Sequence, residues 1–277
     1  MIFVAGATGN VGSEVVRALA AAGAPVRALV RDPEKARLPE RVEAVSGDLD
    51  RPDTLTGALE GVRAAFLLPG YADMPGLLAE VRRAGVEHVV LLSGGSAASG
   101  DMTNAVTRYM VLSEAAVRES GVPWTFLRPS GFMSNALRWL PQIQAGDRVR
   151  VTFPNVPVAF VDPFDLGEVA ARALLDGGYR GEILWPTGPE ALLPADQVAV
   201  LAGVLGRDLR AVGLSDEEAR AEMAAAMPVE YVDAFFDFYV NGSLDESIVR
   251  PTVLEVTGRA PRTFADWANA HAADFRR

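Results

Sequence analysis

The segment Gly6-Ala7-Thr8-Gly9-Asn10-Val11-Gly12 constrains the fold of this chain more than any other feature. It follows the apolar run of residues 2–5 and opens a stretch with apolar residues at helical spacing (Val11, Val15, Leu19, Ala22). A strand that turns into a helix through such a glycine loop is the first unit of a doubly wound sheet. Each glycine has its own reason. Gly6 permits the tight turn out of the strand, Gly9 lets backbone approach a pyrophosphate with no Cβ in the way, and Gly12 lets the helix pack close to the sheet. The unpaired N–H groups at the helix start, with the helix dipole, favour phosphate oxygens. Ala7, Thr8, Asn10 and Val11 complete the loop, so residues 6–12 are the first expected cofactor contacts.

Short apolar runs recur at 25–30, 42–45, 64–68, 86–92 and 124–127, separated by helical patterns at 52–59, 74–84 and 103–120. The runs are rich in β-branched residues and leucine with little polar alternation, as buried parallel strands are. Past residue 130 the pattern changes. Pro154, Pro157 and Pro163 mark irregular chain, a short strand is expected at 182–185, and helices at 164–175, 195–205, 215–227, 231–240 and 264–275. Ser215 with Glu218 reads as a capping box. The expected fold class is therefore α/β, a Rossmann-type doubly wound parallel sheet with a small C-terminal substrate lobe. Residues 1–130, joined by about 158–186, make the dinucleotide-binding part; 131–157 and 187–277 make the lobe. Ligands on such sheets bind outside the carboxyl ends of the strands. Those ends carry Gly6, Arg31, Asp48, Leu68, Pro69, Ser93 and Pro129.

What is missing narrows the chemistry. There is no cysteine, which removes thiolate catalysis, disulfides and cysteine-held metals. The two histidines, His88 and His271, are too few for a histidine-based metal site, so no metal is expected; His88 reads as structural and His271 as surface. Among 26 basic residues only Lys35 is a lysine. Acidic residues number 36 and the net charge is −10, which argues against a nucleic-acid partner. No run of about 18 apolar residues is present, so no membrane span is expected. Glycine arrives at position 6, too early for an apolar signal core, so a cytoplasmic protein is expected. A homo-oligomer is compatible with everything above.

The residue directly after the second strand is Arg31, and a guanidinium there suits the 2′-phosphate of NADP(H). Asp32 could instead bond a ribose 2′-OH, which keeps NAD as the less favoured cofactor. The spacing G-x-x-G-x-x-G resembles the short-chain dehydrogenase/reductase superfamily in its atypical branches. Residues 29–36, Gly47-Asp48-Leu49, Ser113-Glu114, 120–129, 132–135 and 256–264 extend that resemblance to the NmrA-like group, which includes NAD(P)H quinone reductases. It implies NADP(H) at Arg31 and an adenine contact at Asp48-Leu49.

Many reductases of the superfamily use Tyr-x-x-x-Lys, in which the lysine lowers the tyrosine pKa. Tyr109 is followed four residues later by Ser113, so the dyad is absent. Tyr109 and Ser93 are the two catalytic candidates, each with a structural alternative. Phe235, Phe236, Phe238 and Tyr239 suit either core or the wall of a pocket for a flat apolar small molecule. The first functional reading is an NAD(P)H-dependent oxidoreductase passing hydride to a quinone or similar small carbonyl. The alternatives are a non-catalytic NADP(H)-binding redox sensor, and a sugar-nucleotide epimerase-like enzyme, which the missing dyad disfavours.

Overall fold

The apolar runs of the first 130 residues become strands of one parallel sheet in the computed structural model, which describes residues 1–276. They are β1 (Ile2–Val4), β2 (Val26–Leu29), β3 (Glu43–Val45), β4 (Ala64–Leu67), β5 (His88–Leu92) and β6 (Trp124–Leu127). Further on, β7 (Arg148–Val151) lies outside this sheet and β8 (Ile183–Leu184) pairs with β6. The sheet order is β3-β2-β1-β4-β5-β6-β8. Val4 is in register with Ala28 on one side and Phe66 on the other, so the carboxyl ends share one edge. The winding reverses between β1 and β4, the place where doubly wound sheets open a ligand crevice.

Helices cover both faces because the strands are apolar on both. They are α1 (Gly12–Ala21), α2 (Met74–Arg83), α3 (Ala105–Glu119) and α5 (Pro163–Leu175), while α4 (Leu140–Ala145) packs in the lobe. Val15, Val16 and Leu19 of α1 share one core with Leu166, Val169 and Ala173 of α5. Leu77 and Val81 of α2 and Val117 of α3 share the other with Phe3, Leu91 and Phe126. α1 and α5 touch at Gly167, where a Cβ would stand 2.7 Å from the carbonyl carbon of Glu14.

The remaining chain supplies α6 (Pro194–Leu205), β9 (Arg210–Gly213), α7 (Asp216–Ala224), α8 (Val229–Tyr239), α9 (Thr252–Thr257), α10 (Phe264–Ala270) and α11 (Ala272–Phe275). β7 and β9 form a separate parallel pair beside a core built on Trp139, Ile143, Leu201, Phe264 and Trp267. Two arginines fasten this lobe to α5. Buried Asp165 accepts from Arg259 Nη2 at 2.5 Å and from the Arg262 backbone N–H at 2.6 Å, and Asp162 accepts from Arg262 Nη1 at 3.4 Å.

Several local expectations need correction. The helix expected at 52–59 is only a 3-10 turn, Pro52–Leu55. The hydroxyls of Thr54 and Thr56 bond the backbone carbonyls of Arg51 and Asp53, and Gly61 turns the chain at φ 68°. The helix expected at 264–275 breaks at His271, between α10 and α11. His271 is not a surface residue: it is half-buried, its ring stacks on Trp267 with centroids 4.7 Å apart, and Nδ1 lies 2.9 Å from the Trp267 carbonyl. β7, β9, α4 and α9 lie in segments where no regular element was expected.

His88 is buried and its Nε2 lies 2.9 Å from Thr125 Oγ1, whose own hydrogen goes to the Tyr179 carbonyl. The ring nitrogen Nε2 therefore carries a hydrogen and donates it. Burial, with Arg180 and Arg63 nearby, pushes its pKa down from 6.5 to about 4. Below pH 6.5 the unfolded chain takes up a proton that the folded chain refuses, so stability falls as pH drops toward 4. Urea unfolding across this range is expected to show a loss of up to roughly 3 kcal/mol, at 1.36 kcal/mol per pKa unit. His88→Gln is expected to flatten that slope.

Candidate active site

At the carboxyl edge of the sheet, the glycine loop adopts the geometry that its spacing requires. Gly6 has φ +62°, left-handed, and its carbonyl accepts the Gly9 N–H at 2.8 Å. A Cβ on Gly12 would overlap the Gly6 carbonyl oxygen and stand 2.6 Å from the carbonyl carbon. A Cβ on Gly9 would meet only the Gly6 oxygen, at 3.3 Å, so its outer side is open. Thr8, Gly9 and Asn10 are exposed, whereas Ala7 and Val11 turn into the core and can offer a ligand only backbone.

Beside this loop runs a groove of about 720 Å³ whose walls include Gly6, Thr8, Gly9, Arg31, Asp48 and Leu49. Arg31 is exposed and, among the described residues, has no carboxylate within ion-pair distance. Asp32 is occupied: Lys35 Nζ lies 2.7 Å from one oxygen and the Glu34 N–H reaches the other at 3.2 Å. The only lysine thus pairs with the acid that directly follows Arg31 and could compete for a ribose. Asp48 is held in a turn, accepting from Arg51 Nε at 3.2 Å and from the Asp50 N–H at 3.0 Å. An open phosphate cradle next to an unpaired guanidinium fits a dinucleotide carrying a 2′-phosphate.

A second depression, about 500 Å³, continues along the strand ends between Leu68, Pro69, Ser93, Tyr109, Phe132 and Tyr231. Tyr109 is half-buried and edge-on to Tyr231, with centroids 6.4 Å apart. Burial, then the nearby Tyr231, pushes its pKa up, and four residues on, where a lysine would lower it, stands a serine. Ser113, in that position, donates to the Tyr109 carbonyl at 2.7 Å and accepts the Gly70 N–H at 2.9 Å. It ties α3 to the loop after β4.

Ser93 is buried and its hydroxyl donates to Glu114 Oε1 at 2.6 Å. The same carboxylate receives Arg128 through Nε at 2.8 Å and Nη2 at 2.7 Å, and Arg118 Nη2 at 3.0 Å. Burial alone would raise the Glu114 pKa, but the bonds from Arg128 and Ser93 outweigh it and hold the group below its ordinary value. Pro129 is buried and lines neither depression. Glu114 and Arg128 did not read as a pair in the sequence, because only the pairing of β5 with β6 brings α3 against Arg128. The signal available was their presence in two segments of the family resemblance.

A third space, about 680 Å³, lies in the lobe beneath α7 and α8. Phe235 and Tyr239 line it with Phe153, Met223 and Met227, whereas Phe236 and Phe238 are buried in packing. Ser134 also lines it and accepts from Asn10 Nδ2 at 3.5 Å, which sets one wall residue against the glycine loop. Among the described residues no grouping of histidine, aspartate and glutamate could hold a metal, and no helix is long and apolar enough to cross a membrane.

Known proteins agree with this geometry. Residues 6–152 match the model of the NAD(P)H-binding family. A (4-alkanoyl-5-oxo-2,5-dihydrofuran-3-yl)methyl phosphate reductase of Streptomyces griseus is 43% identical over 99% of both chains. An NAD(P)H azoreductase of Xenophilus azovorans is 39% identical, again over 99% of each. The crystal structure of an NADPH-dependent quinone oxidoreductase from Escherichia coli, complexed with NADPH, superposes with a TM-score of 0.82 at 22% identity, covering 99% of this chain and 100% of that one, a likeness of fold. With a matching family model over more than half its length and full-length reductase relatives, the chain belongs to the NAD(P)H-binding family and is an NAD(P)H-dependent oxidoreductase.

Proposed function

We propose that this reductase uses NADPH to reduce a flat, conjugated acceptor, a quinone or a similar small carbonyl compound. Residues 1–130 with 158–186 hold the cofactor; 131–157 and 187–277 frame the acceptor. The glycine loop 6–12 cradles the pyrophosphate through backbone N–H groups, Arg31 takes the 2′-phosphate, and Asp48-Leu49 floor the adenine side. Leu68, Pro69 and Ser93 border the nicotinamide side, with Pro129 supporting the strand end behind them. The bound cofactor supplies the hydride.

One observation carries the choice of acceptor. Tyr109 has no partner that would make it acidic, and the Ser93 proton is committed to Glu114. A quinone needs no strong protein acid, because one hydride and one proton from water complete the hydroquinone. The azo and oxo-dihydrofuran groups in the relatives' names are acceptors of comparable unsaturation.

The test is NADPH oxidation with a panel of quinones, with hydroquinone formed in equal amount. Tight NADPH binding without turnover across the panel would instead favour the sensor reading. Tyr109→Phe keeps the ring and removes the hydroxyl, and kcat is expected to fall less than about tenfold; a full general acid would contribute about 10²–10⁴-fold. Arg31→Ala is expected to weaken NADPH binding by roughly 1.5–3 kcal/mol, the worth of a charged hydrogen bond, and to leave NADH unchanged in calorimetry. Equal losses for both cofactors would remove Arg31 from the 2′-phosphate.

A further inference from the structure

We infer that the acceptor carries an anionic group (carboxylate, sulfonate or phosphate) and that Arg138, with Asn135, binds it inside the lobe cavity. The inference rests on the reductase reading above for the word acceptor, but the site stands on its own geometry. Arg138 is exposed and lines the 680 Å³ cavity. No carboxylate among the described residues comes within ion-pair distance of it, in a chain with 36 acidic residues. The other cavity arginine, Arg150, is already paired with Glu222 at 2.6 Å. Glu246, near the cavity, accepts the Tyr239 hydroxyl at 2.6 Å and is not available either.

Partial desolvation by the neighbouring side chains pulls the Arg138 pKa down, and the nearby Tyr239 opposes it. The guanidinium passes over the Trp139 ring at 5.5 Å, a contact that places the stem but satisfies none of its five N–H donors. An exposed guanidinium on a cavity wall, with no carboxylate paired to it, is free to take a ligand's negative charge.

The turn that carries Arg138 supplies the second contact. Met133–Trp139 is a 3-10 helix, in which residues three apart eclipse, so Asn135 and Arg138 share one face. Asn135 is exposed and lines the same cavity, and among the described residues its side-chain amide has no hydrogen-bond partner. Ser134, at the glycine loop, precedes Arg138 by four residues, or about 8 Å at about 2.0 Å rise per residue. That distance suits a bicyclic aromatic body, and Phe153, Phe235 and Met227 wall the space between.

The test is direct titration of the full chain, without cofactor, using 2-naphthoate and its neutral isostere 2-naphthamide. The native protein is expected to bind the naphthoate at least about tenfold more tightly, in line with a charge-assisted hydrogen bond. Arg138→Gln is expected to erase that preference and Arg138→Lys to keep part of it, with the melting temperature recording whether each variant folds. Phe235→Ala is expected to weaken both probes alike and keep their ratio. Equal affinities in the native protein, or a preference that survives Arg138→Gln, would overturn the inference, and the native comparison alone suffices if the variant does not fold. Because no turnover is involved, an anion preference in a protein that reduces no quinone would support this site while removing the proposed reaction.

Discussion

Arg128→Met is expected to lower folding stability by about 3–5 kcal/mol, because it leaves the Glu114 carboxylate buried without its main partner. Glu114 is 1% exposed and Arg128 9%, so water cannot replace the lost bonds. The pH dependence gives the sign. In the native protein the Glu114 pKa lies below its ordinary value, so its stabilisation is present above the unfolded-state pKa and is lost as pH falls through the folded one. In the variant, burial acts with far less opposition and the folded pKa moves upward. Mild acid is then expected to relieve part of the defect that it creates in the native chain. Urea unfolding at neutral and mildly acidic pH measures both. A loss under about 1 kcal/mol, the size of an exposed pair, would show that the triad of Ser93, Glu114 and Arg128 is dispensable. Its position makes it a support for the strand ends: it fixes Ser93 at the end of β5 and Arg128 after β6 in one arrangement.

The second large effect separates two glycines of one loop. Gly9→Val is expected to fold normally and lose NADPH binding, because the space beyond its Cα is open except for the Gly6 oxygen at 3.3 Å. The branched side chain would then occupy the phosphate's place. Gly12→Val is expected to damage the fold itself, since even a Cβ would overlap the Gly6 carbonyl. Overpacking of this kind costs typically 1–3 kcal/mol and occasionally more. Thermal unfolding paired with NADPH calorimetry distinguishes them. Normal NADPH binding by a folded Gly9→Val protein would refute the cradle, and an unchanged melting temperature in Gly12→Val would refute the close packing of α1.

The sheet was legible because its strands are local, apolar and punctuated by glycine or proline. The glycine loop was legible because the constraints on it come from its immediate neighbours. Arg31 and Asp32 illustrate the limit. Their sequence left two cofactors open, and it took the ion pair of Lys35 with Asp32 to leave Arg31 as the unpaired charge in the groove. Ser93 likewise stood out at a strand end, but its engagement with Glu114 depends on α3 packing over β5 and β6. The segment around Thr54 misled, since its hydroxyls compete locally with the helix that the apolar spacing suggests.

By itself, then, the order of residues determined the doubly wound α/β sheet, the residues at its carboxyl edge and the glycine loop, all set by contacts within a few residues or by the two-residue and 3.6-residue periods of strand and helix. Only the tertiary structure decided the lobe and what it surrounds. Phe235 and Tyr239 face a cavity while Phe236 and Phe238 do not, Arg138 lacks a partner while Arg150 has one, and β7 finds β9 across a gap of nearly sixty residues. These outcomes depend on which distant surfaces meet, and burial and charge pairing are properties of that meeting, not of any one segment.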